Sequence, residues 1–169
     1  RSIELSLIKN KASNHIQIID NTTDHLKRLK IDFNINEIKK FLFSTRFLFQ
    51  NLDRVVIFDS NFNLIGDTDT LDLDPRSFSP KLEIVEMDIL DSKVKKTDSN
   101  KQTSLESKNL PFLKDKLTNY VNSSEFGKPL AFTQNTYEQF ILTTIKNVNI
   151  DEKNYGFIVI QENANEIRV

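Results

Sequence analysis

At 169 residues the chain has room for one domain with its own core, and not for two domains plus a linker. Its 23 Lys and Arg offset 24 Asp and Glu, and the formal net charge of -1 gives no basic stripe of the kind that binds nucleic acid or an anionic membrane. With no cysteine, disulfides, thiolate metal sites and thiol nucleophiles are excluded, while either redox compartment stays open.

From Ile3 to Leu29 the apolar positions Ile8, Ala12, Ile16, Ile19, Leu26 and Leu29 recur at three- and four-residue spacing, with no Pro or Gly between them. This predicts an amphipathic helix over residues 1–30. A helix of about 27 residues reaches roughly 40 Å, long enough to be the spine of the domain. Its stripe serves equally as core or as a dimer seam, for which Ile8, Ala12, Ile16 and Ile19 are the candidates. His15 and His25 lie ten residues apart on it, which is not the spacing of metal ligands on one helix face, so both are expected to be solvated or packing residues.

Asn34 or Asn36 can cap a second helix over 36–50, with Ile38, Phe41, Leu42, Thr45, Leu48 and Phe49 on its apolar face. Phe41, Phe43, Phe47 and Phe49 are expected to form the aromatic centre of the core. A hairpin over 53–68 follows, in which Asp59, Ser60, Asn61 and Asn63 supply turn chemistry between two apolar runs. Residues 69–108 are acidic, polar and variable, broken by Pro75 and Pro80. Within them Leu82 to Leu90 reads as a strand or short helix, and Asp91 to Lys108 as a mobile loop. A helix over 110–122 starts on Pro111 and carries Leu113, Leu117 and Val121 on one side. Three strands fill 129–162 as a meander: Leu130 to Thr133, Tyr137 to Val148 and Tyr155 to Ile160. The fold class is therefore α+β, with a long N-terminal helix and a further helix packed on a central antiparallel sheet.

No catalytic constellation is present. Gly66, Gly127 and Gly156 are isolated, no glycine loop or nucleophile elbow occurs, and the segment is not read as an enzyme. The acidic cluster is the strongest functional lead. Asp67, Asp69, Asp72 and Asp74, followed by Glu83, Glu86, Asp88 and Asp91, can raise one another's proton affinity and so respond to acid. Asp67-Thr68-Asp69 and Asp72-Leu73-Asp74 also offer hard oxygen ligands for a divalent cation, although the spacing departs from a calcium loop; the plain alternative is a solvated acidic loop. Arg46, Arg54 and Tyr120 are the candidates for holding a carboxylate ligand. No metal site and no cofactor are assigned.

Two segments carry a family resemblance. Arg54-Val55-Val56-Ile57-Phe58-Asp59 through Leu64-Ile65-Gly66-Asp67, and Tyr155-Gly156-Phe157-Ile158-Val159-Ile160 followed by Glu162, Glu166, Ile167 and Arg168, resemble the first hairpin and the closing strand of a periplasmic stimulus-sensing domain. The domain in question is that of alphaproteobacterial ChvG/ExoS-type two-component sensor histidine kinases, which belong with PAS-like, Cache-type sensors. The chain departs in ending its second strand on Asp67-Thr68 rather than Asp-Ser. The middle, from Leu71 to Lys128, matches only in being acidic and Pro-containing.

The resemblance implies the periplasmic portion of an inner-membrane, homodimeric kinase with flanking membrane spans. Its absent cytoplasmic core would use ATP and Mg and pass a phosphoryl group to a response regulator. A periplasmic regulatory protein would be a further partner, and envelope or acid conditions the signal. A start at Arg1 without Met, and an end on helix-like Glu166-Ile167-Arg168-Val169, fit a piece of such a polypeptide. The alternatives are the ligand-binding domain of a chemoreceptor or cyclase, and a soluble envelope protein-binding module.

Overall fold

The structure, a computed structural model, describes residues 2–70, 110–135 and 138–167. The expectations for Asp72, Asp74, Pro75 to Pro80, Leu82 to Leu90 and Asp91 to Lys108 lie outside the described residues. The chain is α+β. It divides into two compact units, residues 1–71 with 123–169 and residues 72–122, within the stretch that length assigned to one domain.

Helix α1 spans Ser2–Arg28, close to the predicted bounds. It stops without Gly or Pro because Lys30 takes a left-handed φ of 52° while its N–H donates to Lys27 and that of Ile31 donates back to the Leu26 carbonyl. That reversal caps the last carbonyls, and it brings Ile31 against the core cluster that contains Leu26. The buried stripe is His15, Ile19, Thr22 and Leu26, with Ile8, Ala12 and Ile16 half-buried. Leu29, expected on the stripe, lies past the helix end and is exposed.

Helix α2 spans Ile35–Ser44 and starts where Asn34 accepts the Glu37 N–H at 2.9 Å. It is shorter than predicted. The Thr45 hydroxyl donates to the Phe41 carbonyl at 2.7 Å and the chain tightens into a 3-10 turn over Arg46–Phe49. The turn splits the aromatic group: Phe41 and Phe49 enter the core, Phe43 is half-buried, and Phe47 is 62% exposed.

Strands β1 (Arg54–Asp59) and β2 (Leu64–Asp67) form the predicted hairpin. Asp59 organises its turn, accepting the N–H groups of Asn61 and Asn63 on one carboxylate oxygen and the Asn63 amide on the other. The left-handed position, however, falls on Phe62, at φ 67°, rather than on one of the polar turn residues. In the second unit, residues 110–121 form helix α3, with Leu113, Leu117 and Tyr120 buried.

Strands β3 (Leu130–Asn135), β4 (Phe140–Ile150) and β5 (Lys153–Asn163) form the meander; β3 and β5 run longer than expected, while β4 is shifted toward the C-terminus. Asp151 and Glu152, at φ 52° and 67°, make the tight turn between them, whose twist matches that of paired strands. After β5, residues 165–167 form a turn rather than a helix, held by the Ala164 N–H on the Phe140 carbonyl.

All pairings are antiparallel and the sheet order is β2-β1-β5-β4-β3. The closing strand is thus central, with Val55 opposite Ile160 and Ile57 opposite Ile158. Side chains alternate across a strand. Val55, Ile57, Ile158, Ile160 and Val148 therefore face the helices and pack with Ile19, Leu26, Ile38 and Leu42 in one core cluster. Arg54, Val56, Phe58, Phe157 and Val159 project to the opposite face, where the last four are fully buried.

Candidate functional site

The structure brings Arg54, Asp67 and Asp69 together, at the end of β2. Asp67 faces away from α1 and α2, opposite Val56, and Arg54 shares that face two residues along β1. The guanidinium grips the carboxylate through two bonds, Nε to Oδ1 at 3.1 Å and Nη2 to Oδ2 at 2.6 Å. The side chains are 12% and 2% exposed. Oδ1 also accepts the Asp69 N–H at 3.0 Å, and the Thr68 hydroxyl takes the Val55 N–H at 2.9 Å. The acidic segment from Asp67 to Thr70 is therefore folded down on β1.

That geometry places several of the candidate residues. Asp67 is paired with Arg54, and Asp69, itself 3.5 Å from Arg54 Nε, is exposed beside it. Arg54 is likewise committed, and an incoming carboxylate would have to displace Asp67. Arg46 is exposed and turned onto its own segment, donating to the Phe43 carbonyl at 2.7 Å with its guanidinium 4.5 Å from the Phe43 ring centre. Tyr120 is buried on α3, in the other unit. Across the sheet from Arg54 lie Gln161 and then Thr143, joined by a Gln161 to Thr143 bond of 3.3 Å, so a polar row crosses three strands.

A cleft of about 240 Å³ opens between α2 and β2, lined by Lys39 and with Leu42, Ile65 and Gly66 among its walls. It is smaller than the roughly 300 to 1,000 Å³ of usual small-molecule sites. Among the described residues no group of three His, Asp or Glu side chains converges as metal ligands would, and no helix is long and apolar enough to cross a membrane.

On the helix side a second polar cluster appears that the sequence reading missed. His15 is fully buried. Its Nε2 lies 2.7 Å from Glu162 Oε1 on β5, and its Nδ1 lies 2.9 Å from the Thr144 hydroxyl on β4. Lys11, one turn before, donates to Glu162 Oε2 at 2.9 Å and pairs with Glu166 at 2.9 Å. Below it, Lys146 of β4 pairs with Asp20 of α1 at 2.6 Å. His15 is thus neither solvated nor a mere packing residue. Its signal was present in the spacing, since His15 lies four residues from both Lys11 and Ile19 on the stripe. Nothing local pointed to Glu162.

The proposed seam changes too. Ile19 sits in the core cluster, fully buried, and is unavailable to a dimer partner; Ile8, Ala12 and Ile16 are half-buried on the same helix. The apolar residues that α1 does expose are Ile3, Leu5 and Leu7.

No family model matches the chain, and no curated protein matches it. Among solved structures it is similar to the sensory domain of the Campylobacter jejuni chemoreceptor Tlp3 (CcmL), at 12% identity and a TM-score of 0.37, over 98% of this chain and 61% of that one. It is similar also to the ligand-binding domain of the same chemoreceptor in complex with L-norvaline, at 12% identity and a TM-score of 0.37, over 99% of this chain and 62% of that one. The chain spans about three fifths of the length of these structures.

Proposed function

We propose that this chain is the extracytoplasmic sensing domain of a membrane-bound receptor, and that its output is a two-component histidine kinase. The observation that carries the reading is the fastening of α1 to the end of β5, through Lys11 and His15 on one side and Glu162 and Glu166 on the other. The elements nearest the two ends of the chain are thereby tied side by side, and β5 is the central strand. A change in the sheet would therefore shift the exit of β5 against α1, which is the displacement that a pair of membrane spans can transmit. Only a few kcal/mol between two such arrangements are needed to switch a population.

The resemblance of the Arg54 to Asp67 hairpin and of the Tyr155 to Arg168 segment to the ChvG/ExoS-type sensors supports the kinase output. On that reading the parent is a homodimer in the inner membrane, this domain is periplasmic, and the kinase core uses ATP and Mg and phosphorylates a response regulator. Exposed Ile3 and Leu7 replace Ile19 as candidates for the dimer contact. A periplasmic regulatory protein is a further partner on that reading.

The test is the coding sequence on either side of residues 1–169. Two apolar stretches flanking the domain, with a kinase core carrying a phosphoacceptor His downstream, are the expected result. A chemoreceptor signalling helix downstream would overturn the kinase output, and flanks without membrane spans would overturn the receptor itself.

A further inference from the structure

We propose that Lys11, His15, Glu162 and Glu166 form a proton-operated clasp, which holds α1 on the sheet while His15 is neutral and loosens it when His15 takes a proton. The clasp is a property of the fold and does not depend on which output domain the parent carries.

The bonding pattern fixes the resting state. Glu162 accepts from Lys11 on one oxygen, and the His15 Nε2–H donates to the other oxygen. In neutral His15, Nδ1 is then an acceptor, and the Thr144 hydroxyl donates to it. Every group in this chain of bonds has one role, and His15 and Thr144 are both fully buried. A second proton on His15 converts Nδ1 into a donor. Thr144 must then accept, its own proton loses the acceptor it had, and a cation is left in a buried site.

The surrounding charges do not remove that penalty. Those facing His15 are Lys11 on its own helix, Glu162 on β5 and Glu166 just beyond β5; β4 brings Thr144, and Lys146 already paired to Asp20. Glu162 favours the imidazolium, but Lys11 shares that carboxylate and repels a second cation. Burial is the larger influence and pushes His15 below the ordinary imidazole value. Because the folded state binds this proton less readily than the unfolded state, the stabilisation is complete above about pH 6.5 and is lost as pH falls from there toward the folded-state pKa.

Two of the three elements that meet here, α1 and β5, are held by this cluster, and the turn after β5 is tied to it through Lys11 and Glu166. The loosening should therefore be local to α1 before it is global. The experiment follows both imidazoles of the 169-residue chain by NMR from about pH 7.5 to about pH 5, assigned with His25→Gln, together with amide protection factors along α1. The expected result is a His15 titration below 6.5, with protection between Lys11 and Thr22 falling about tenfold for each pKa unit of displacement, and with that fall absent in His15→Gln. Titration of His15 at or above 6.5, or α1 protection that does not change with pH in the wild-type chain, overturns the proposal. Should His15→Gln fail to fold, the wild-type titration and protection profile decide alone.

Discussion

Arg54 and Asp67 meet in a two-bond ion pair at 2.6 and 3.1 Å on the face of the sheet opposite α1 and α2, where the carboxylate is almost without solvent. Removing one charge from such a pair leaves the other buried and unmatched, so Asp67→Asn is expected to cost about 3 kcal/mol. Asp69→Asn, at an exposed carboxylate 3.5 Å from the same guanidinium, should cost about 1 kcal/mol or less. Urea denaturation of the two variants checks the order, and equal losses would mean that the pair is not the anchor of this segment.

Glycine at two positions is a packing requirement. A methyl group at Gly156 would stand 2.0 Å from the Phe58 carbonyl oxygen, in the backbone of the neighbouring strand, which cannot turn aside. At Gly66 it would meet the side-chain tips of Ile38 and Leu42 at 2.6 and 2.8 Å, where α2 lies close on β2. Gly66→Ala is expected to cost about 1 to 3 kcal/mol, the usual range for overpacking, and Gly156→Ala more than that. Thermal melting of both variants measures the difference.

The four phenylalanines around α2 should divide into unequal classes. Phe49→Ala removes a buried ring and is expected to cost about 3 to 5 kcal/mol. Phe47→Ala, at a position 62% exposed, should fall within about 0.5 kcal/mol of the parent. Chemical denaturation distinguishes these outcomes directly.

Within the clasp the two glutamates are not equivalent. Glu162, 17% exposed, receives both Lys11 and His15, whereas Glu166, 61% exposed, receives Lys11 alone. Glu162→Gln is expected to cost about 1 to 3 kcal/mol, and Glu166→Gln about 0.5 kcal/mol or less. Melting at neutral pH checks the ratio.

The sequence by itself determined the elements whose causes are local. Asn34 announced a helix start because its side chain reaches a backbone N–H three residues on. The run from Ile8 to Leu26 announced α1 through its spacing, and Asp59 to Asn63 announced a turn through side-chain to backbone bonds. The break after Ser44 escaped, since the Thr45 hydroxyl competes for a helical carbonyl without any Pro or Gly to mark it.

Tertiary structure alone decided the environments. Pairing β1 with β5 joins residues about a hundred positions apart, and no local preference encodes that partner. The laying of α1 across the sheet determines that Ile19 is core and that His15 is buried against Glu162, while the β1–β2 register sets Arg54 against Asp67. A side chain's charge state and availability depend on what the fold places within about 3 to 4 Å of it. In this chain those neighbours come from other strands and helices, so the residues were visible in the sequence while their roles were not.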